Sequence, residues 1–129
     1  MNKSNILEII QDIKDGRMVI IVDDEARENE GDLICAADLV TPEIINFMAS
    51  KGKGLICLPM STELCQKYDL QMMTNNNRAA NKTAFTVSIE AAEGITTGIS
   101  AADRSHTIKT AVNKAVSYTH LTLPTILLV

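Results

Sequence analysis

The apolar positions of the first segment recur with helical spacing and then give way to a continuous apolar run. The i, i+4, i+7 recurrence predicts an amphipathic helix that Ser4 caps and Gly16 ends. Its apolar stripe comprises Ile6, Leu7, Ile10 and Ile13. Residues 18–22 are all apolar and mostly β-branched, which favours a strand buried on both faces. A charged loop separates this run from a shorter apolar strand over residues 33–36.

The middle of the chain repeats this interleaving of helix and strand. Thr41 and Pro42 begin a helix, since proline at the first helical position loses no hydrogen bond, and glycines at and after Gly52 end it. The apolar run 55–58 predicts a third buried strand, and Ser61 opens a short helix.

The remaining segments alternate in the same way. Residues 74–78 are too polar for anything but a loop, and residues 84–90 alternate apolar and polar as a half-buried strand does. Ser100 and Asp103 resemble a capping box. The predicted helix that starts there has one apolar face, formed by Ile108, Ala111, Val112 and Ala115. We therefore predict an α/β or closely mixed α+β fold, and the absence of repeats and linkers indicates one domain.

Composition narrows the class of protein. The 129 residues are 46% apolar and 22% charged, which suits one packed domain and excludes a disordered tail. A net charge of −4 with two Tyr, two Phe and no Trp argues against nucleic-acid binding. No apolar run is long enough to span a membrane. Three cysteines within apolar runs and no signal peptide predict a reduced, cytoplasmic protein.

The strongest chemical signal is a cluster of acidic residues at positions 23–32. It holds six of the sixteen carboxylates: Asp23, Asp24, Glu25, Glu28, Glu30 and Asp32. Such close carboxylates repel one another unless a cation or Arg27 lies between them, and Mg²⁺ prefers oxygen ligands. An extended segment over residues 28–32 would point its three carboxylates to one side. The alternative is a solvated charged loop.

These residues also carry a family resemblance. Residues 23–32 resemble the signature loop of 3,4-dihydroxy-2-butanone 4-phosphate synthase, an enzyme of riboflavin biosynthesis. Residues 54–58, 83–89 and 93–104 resemble further segments of that family, in family order, so the resemblance covers roughly residues 6–115.

The resemblance implies a fold and a reaction. The fold is a three-layer-like single α/β domain with a mixed sheet and flanking helices, here truncated. The reaction is a lyase reaction that converts ribulose 5-phosphate to 3,4-dihydroxy-2-butanone 4-phosphate and formate with Mg²⁺ or Mn²⁺. A sugar phosphate would be the substrate, intact members would form homodimers, and nucleic acid and membranes would play no part.

The resemblance also implies roles for residues of the acidic cluster. Glu28 would be a metal ligand that also meets the substrate. Arg27 and Asp32 would contact the sugar phosphate, and Glu30 would be a candidate acid/base.

Further residues carry weaker expectations. Asp103 would be catalytic or only a helix cap, and Arg104 a substrate contact or a solvated ion-pair partner. Cys57 would line the substrate site or lie in the core. His106 is expected at the surface, and His120 is assigned no role.

The last fourteen residues differ from the rest. Residues 116–129 contain no Asp, Glu, Lys or Arg and do not resemble the family, so they are either a genuine buried strand or a foreign tail. Residues 1–115 would then be a partial synthase domain, without the family's downstream His, Arg, Thr and Glu motifs. We expect the 129-residue chain itself to be inactive and marginally folded. The alternative function is a non-catalytic fragment with an acidic cation-binding loop.

Overall fold

The computed structural model describes residues 5–80, 82–115 and 120–122. Helices and strands interleave along these residues, as the pattern predicts. The helices are α1 (Ile6–Lys14), α2 (Pro42–Phe47), α3 (Thr62–Lys67) and α4 (Ala101–Val112), and the strands are β1 (Val19–Val22), β2 (Gly31–Ile34), β3 (Glu90–Ala91) and β4 (Leu121–Thr122). Ala37–Leu39 forms a short 3₁₀ turn, and Met48–Gly52 extends α2 by one wide π-type turn. The mixed α/β class is confirmed, and the described strands pair as two antiparallel two-stranded sheets, β1 with β2 and β3 with β4.

Three predicted helix starts are confirmed by their caps. In each, a hydroxyl oxygen of the residue before the helix accepts a hydrogen bond from the backbone N–H three residues later, which satisfies a group that the helix leaves unpaired. These bonds are Ile44 N–H to Thr41 at 3.3 Å, Leu64 N–H to Ser61 at 3.2 Å and Asp103 N–H to Ser100 at 3.0 Å.

The first helix begins at a different residue from the one predicted. Asn5 caps α1, because its Oδ1 accepts a hydrogen bond from Leu7 N at 2.9 Å. Ser4, the residue predicted to cap this helix, lies outside the described residues. The capping residue that the structure shows is Asn5. The predicted stop is confirmed, since Gly16 adopts a φ of 77°, which glycine reaches without a steric cost.

The first sheet is a two-stranded antiparallel hairpin of β1 and β2. Val19 pairs with Ile34 at one end, and Val22 pairs with Gly31 at the other. Val19 is buried, whereas 63% of Ile20 is exposed. The prediction that β1 is buried on both faces is therefore wrong for the described residues. β1 pairs with β2 alone, and few of the described residues cover the faces of the hairpin.

Two other predicted strands are also wrong. Residues 55–58 are irregular, and 85% of Leu55 is exposed. Residues 84–90 form one bridge, between Thr86 and Met72, before β3 begins. The run 55–58 has no strand paired with it among the described residues. Residues 85–87 do align with residues 71–73, but through only two backbone hydrogen bonds, Met73 N to the Phe85 carbonyl and Val87 N to the Gln71 carbonyl at 2.9 Å each, which is too short a pairing for a regular strand.

The core lies where α4 packs against α2 and β3. Two hydrogen bonds tie this region together: the hydroxyl of Tyr68 donates to the carbonyl of Ala111 at 2.6 Å, and Ala91 N donates to Thr107 Oγ1 at 3.0 Å. Among the residues that the structure describes, the buried apolar ones are Val19, Val40, Ile45, Tyr68, Ala91 and Ala111. Within the described ranges, every helix is too short or too polar to cross a membrane.

Candidate functional site

The acidic loop, residues 23–30, connects the two strands of the hairpin. It follows β1 directly and leads into β2, where Asp32 pairs with Ile21 and is exposed. The loop therefore joins antiparallel neighbours, which differs from the strand-to-helix loops that bind ligands in parallel sheets.

Asp23 organises the acidic loop through its carboxylate. Oδ1 accepts a hydrogen bond from Glu30 N at 2.9 Å, and Oδ2 accepts from Glu28 N at 3.1 Å and from Arg27 Nη1 at 3.2 Å. Asp23 N also donates to the carbonyl of Glu30 at 3.3 Å. The Glu30 N–H bond contributes most to a lowered pKa of Asp23; partial burial opposes it, and the Glu28 N–H and the Arg27 charge add to it. Asp23 is therefore an ionised centre of the loop.

The residues expected to bind the cation and the substrate lie around the Asp23 carboxylate. Arg27 Nη2 lies 3.4 Å from Glu28 Oε2, and the side chain of Arg27 is 62% exposed. Asn29 has a φ of 52°, so the backbone turns between Glu28 and Glu30. The extended conformation that would point the carboxylates of residues 28–32 to one side is therefore interrupted at Asn29.

Asp103 organises a second loop, residues 96–98, at the start of α4. Its carboxylate accepts hydrogen bonds from Thr96 N, Thr96 Oγ1, Thr97 N and Gly98 N at 2.9–3.2 Å. Burial of Asp103 acts to raise its pKa, but the hydrogen bonds from Thr96, Ser100 and Gly98 outweigh it, so the pKa is lowered. Ser100 caps α4 as predicted, but the ionised Asp103 carboxylate accepts hydrogen bonds from residues 96–98 rather than from the Ser100 N–H that a capping box uses.

The remaining predicted residues lie outside the acidic loop. Arg104 is half-buried in the first turn of α4. Cys57 is exposed in the irregular segment before α3, so its alternative as a core residue is wrong. His106 is exposed, as expected, and its Nε2 lies 3.1 Å from the carbonyl oxygen of Glu93.

The structure thus brings part of the predicted site together. Arg27, Glu28 and Glu30 share one loop around Asp23, with Asp32 on the adjoining strand, while Cys57, Asp103 and Arg104 belong to other segments. The sequence places Asp23 in the acidic cluster but does not show that its carboxylate accepts the hydrogen bonds that hold the loop. The available signal was its position, directly after an apolar strand and ahead of a polar loop whose N–H groups need acceptors.

The donor chemistry of the acidic loop fits a divalent cation in part. Mg²⁺ uses carboxylate oxygens and usually one or two of them, with water and substrate oxygens completing the shell. Glu28 offers such a group. Across residues 5–80, 82–115 and 120–122, no three His, Cys, Asp or Glu residues are grouped closely enough to hold a metal ion by themselves. The described residues therefore supply a partial ligand set of the right type.

Comparisons with known proteins agree with the resemblance over residues 7–115, and the family match also extends through residues 116–127, which were expected not to resemble the family. The model of the 3,4-dihydroxy-2-butanone 4-phosphate synthase family matches residues 7–127. A synthase of that name from Neisseria meningitidis serogroup B is 64% identical over 110 residues, which cover 85% of this chain and 30% of the relative. A riboflavin biosynthesis protein of Synechocystis is 52% identical over 117 residues, covering 89% of this chain and 21% of that protein.

The fold of this chain is also similar to that of a solved synthase structure. A 3,4-dihydroxy-2-butanone 4-phosphate synthase in complex with two magnesium ions has a TM-score of 0.91 and 39% identity to this chain, covering 95% of it and 57% of the other chain. The chain spans between 21% and 34% of the length of curated relatives such as these, 30% in the case of the Neisseria protein. On the family match and these identities, the chain belongs to the 3,4-dihydroxy-2-butanone 4-phosphate synthase family of riboflavin biosynthesis.

Proposed function

We propose that this chain carries one part of the active site of an enzyme that converts ribulose 5-phosphate to 3,4-dihydroxy-2-butanone 4-phosphate and formate. The observation that carries the proposal is the acidic loop, in which Arg27, Glu28 and Glu30 are held around Asp23. Family membership supports the reaction, and the magnesium ions of the related synthase support a divalent cation.

The reaction begins with enolisation of a ketose, so it needs a polarised carbonyl and a base. When bound, Mg²⁺ or Mn²⁺ would supply the positive charge that stabilises the enolate oxygen. Glu28 would hold the cation and contact the substrate, and Glu30, exposed in the same loop, would exchange the proton at carbon. The Arg27 guanidinium would pair with the phosphate, and the Asp32 carboxylate would accept hydrogen bonds from sugar hydroxyls.

Asp103, Arg104 and Cys57 would support this chemistry from outside the acidic loop. The Asp103 carboxylate is engaged by four loop hydrogen bonds, which favours Glu30 over Asp103 as the acid/base. Arg104 and the exposed Cys57 would contact the substrate. The full protein would act on a sugar phosphate in the cytoplasm as a homodimer, without nucleic acid or membrane.

A second function has one observation in its favour. Within the described residues Glu28 is the single metal ligand that the resemblance assigns, and no three potential ligands are grouped there. The 129-residue chain by itself would then be a non-catalytic fragment that binds cations weakly at the acidic loop.

Formate release from ribulose 5-phosphate separates these functions. In an intact enzyme carrying this loop, Glu28→Gln should abolish Mg²⁺-dependent formate release, because the amide removes the anionic ligand. Glu8→Gln is the matched control, since Glu8 is exposed on α1, away from the loop, and this variant should retain the activity.

Each outcome has a definite meaning. Turnover retained by Glu28→Gln would refute the role of Glu28. Formate released by the purified 129-residue chain would refute the expectation that its site is incomplete and would exclude the fragment function.

A further inference from the structure

The acidic loop holds several negatively charged side chains in a short segment, so its folded conformation needs hydrogen bonds that oppose their repulsion. Its exposed carboxylates are Asp24, Glu25, Glu28 and Glu30. Mutual repulsion among them favours an open loop. Two backbone bonds oppose opening, from Asp23 N to the carbonyl of Glu30 at 3.3 Å and from Arg27 N to the carbonyl of Asp24 at 2.9 Å.

The Asp23 carboxylate supplies three further internal bonds, beside a hydrogen bond from Ala26 N to Asp24 Oδ1 at 2.8 Å. It accepts from the backbone N–H groups of Glu28 and Glu30, which flank the left-handed residue Asn29. It also accepts from the side chain of Arg27. One carboxylate therefore fixes both the turn at residues 28–30 and the guanidinium that neutralises part of the charge.

Exposure separates Asp23 from the residues that it holds. The side chain of Asp23 is 20% exposed, whereas that of Arg27 is 62% exposed and that of Glu28 is 36% exposed. With its oxygens occupied by three internal donors, Asp23 has little capacity left for a ligand. The side chains of Arg27 and Glu28, which pair with each other at 3.4 Å, extend further into solvent.

From this arrangement we propose that Asp23 is a positioning residue, which holds the backbone of Glu28 and Glu30 and the guanidinium of Arg27 in the geometry that receives the cation and the sugar phosphate. The inference rests on the proposed function of the acidic loop and goes beyond it, because Asp23 acts through its neighbours without contacting the reacting atoms.

Asp23→Asn is the direct test, made in the 129-residue chain. The asparagine has the same size, and its oxygen can still accept from Glu30 N. Its amide group, however, presents N–H donors to the N–H of Glu28 and to Arg27, which are donors themselves. Asp38→Asn is the matched control, since Asp38 is exposed in the Ala37–Leu39 turn and its loss removes the same charge.

Two readouts are made on each variant. Amide resonances of Glu28 and Glu30 in ¹H–¹⁵N spectra report the hydrogen bonds directly. Mn²⁺ alone is the cation probe, and the relaxation that it induces at those amides gives an affinity. We expect Asp23→Asn to shift both amides and to weaken Mn²⁺ binding about tenfold or more, the usual effect of losing a group that orients a ligand. Asp38→Asn should change neither.

The outcomes distinguish this proposal from the proposed function. Unshifted amides, or shifted amides with Mn²⁺ affinity within twofold of the unmodified chain, would overturn the positioning role. Absence of Mn²⁺ binding at the loop of the unmodified chain would overturn the metal role of Glu28 in this chain, and the amide resonances would still decide whether Asp23 holds the loop.

A variant that fails to fold is covered by a measurement on the unmodified chain. The amides of Glu28 and Glu30 should exchange with solvent more slowly than that of Glu25, whose N–H has no partner among the described residues. Equal exchange rates would refute the hydrogen bonds to Asp23.

Discussion

Tyr68 joins the end of α3 to the end of α4 by a single buried hydrogen bond, and Tyr68→Phe removes only that bond. The hydroxyl donates to the carbonyl of Ala111 at 2.6 Å. Ala111 lies in the last turn of α4, where carbonyls have no donor within the helix. The phenylalanine preserves the packing of the ring and leaves this buried carbonyl without the hydroxyl.

The magnitude follows from the type of bond. A typical intramolecular hydrogen bond contributes about 1 kcal/mol net, and a buried acceptor left unsatisfied raises the loss to about 1–3 kcal/mol. We expect Tyr68→Phe to reduce the free energy of unfolding by about 1–2 kcal/mol. For a chain of this length, the midpoint of thermal unfolding should fall by about 4–8 °C.

Urea unfolding followed by circular dichroism at 222 nm measures this loss. Ser50→Ala is the control, because the Ser50 hydroxyl donates to the Phe47 carbonyl at 3.4 Å in an exposed position. Its effect should stay within about 0.5 kcal/mol. Equal effects of the two variants would refute the argument that burial of the Tyr68 bond sets its contribution.

The same residue predicts a dependence on alkaline pH. Burial raises the pKa of Tyr68 above its ordinary value near 10. The neutral phenol is the form favoured in the folded state, so its contribution to stability is complete below pH of about 10 and is lost as pH rises through the raised pKa. The unmodified chain should therefore lose more stability above pH 10 than Tyr68→Phe does. Parallel losses in the two proteins would contradict the raised pKa.

Three further predictions concern other elements. Ile45→Ala should lower the free energy of unfolding in urea by about 2–5 kcal/mol, since Ile45 is 1% exposed in the core. Gly98→Ala should cost about 1–2 kcal/mol in the same assay, because Gly98 has a φ of 76° and an added Cβ would meet the Glu90 carboxylate. The lowered pKa of Asp103 means that its contribution is complete above pH of about 4 and is lost as pH falls through the lowered pKa, so acid titration of Asp103→Asn should show a shallower loss of stability than the unmodified chain.

Each of these predictions has a control or a contrary result. Gly54→Ala is the partner of Gly98→Ala, because an added Cβ at Gly54 meets no atom within 4 Å and the backbone there is not left-handed. An equal loss at Gly54 would contradict the role of positive φ. An Ile45→Ala loss below about 1 kcal/mol would contradict close packing around Ile45, and identical acid titrations would contradict a lowered pKa of Asp103.

Local chemistry explains which parts of the fold were predictable. The starts of α2, α3 and α4 follow from Thr41, Ser61 and Ser100, because a cap satisfies a backbone group three residues away and needs no distant partner. The position of the acidic loop was predictable for the same reason, since it follows directly on an apolar run.

The strands were less predictable, because their burial depends on residues far away in the sequence. The runs 18–22 and 55–58 have the composition of buried strands, yet Ile20 and Leu55 are exposed where no described neighbour covers them. Apolar composition favours burial without specifying which element supplies it.

The candidate site also has features that the sequence determines and features that only the tertiary structure determines. The sequence by itself determined the family, the cluster of carboxylates and the residues that the resemblance assigns to cation and substrate. Only the tertiary structure decided that Asp23 lies inside the loop as an acceptor, that Asn29 turns the backbone, and that the Asp103 carboxylate is occupied by residues 96–98. The physical reason is that residue types define which groups can donate and accept, whereas the path of the backbone decides which of them meet.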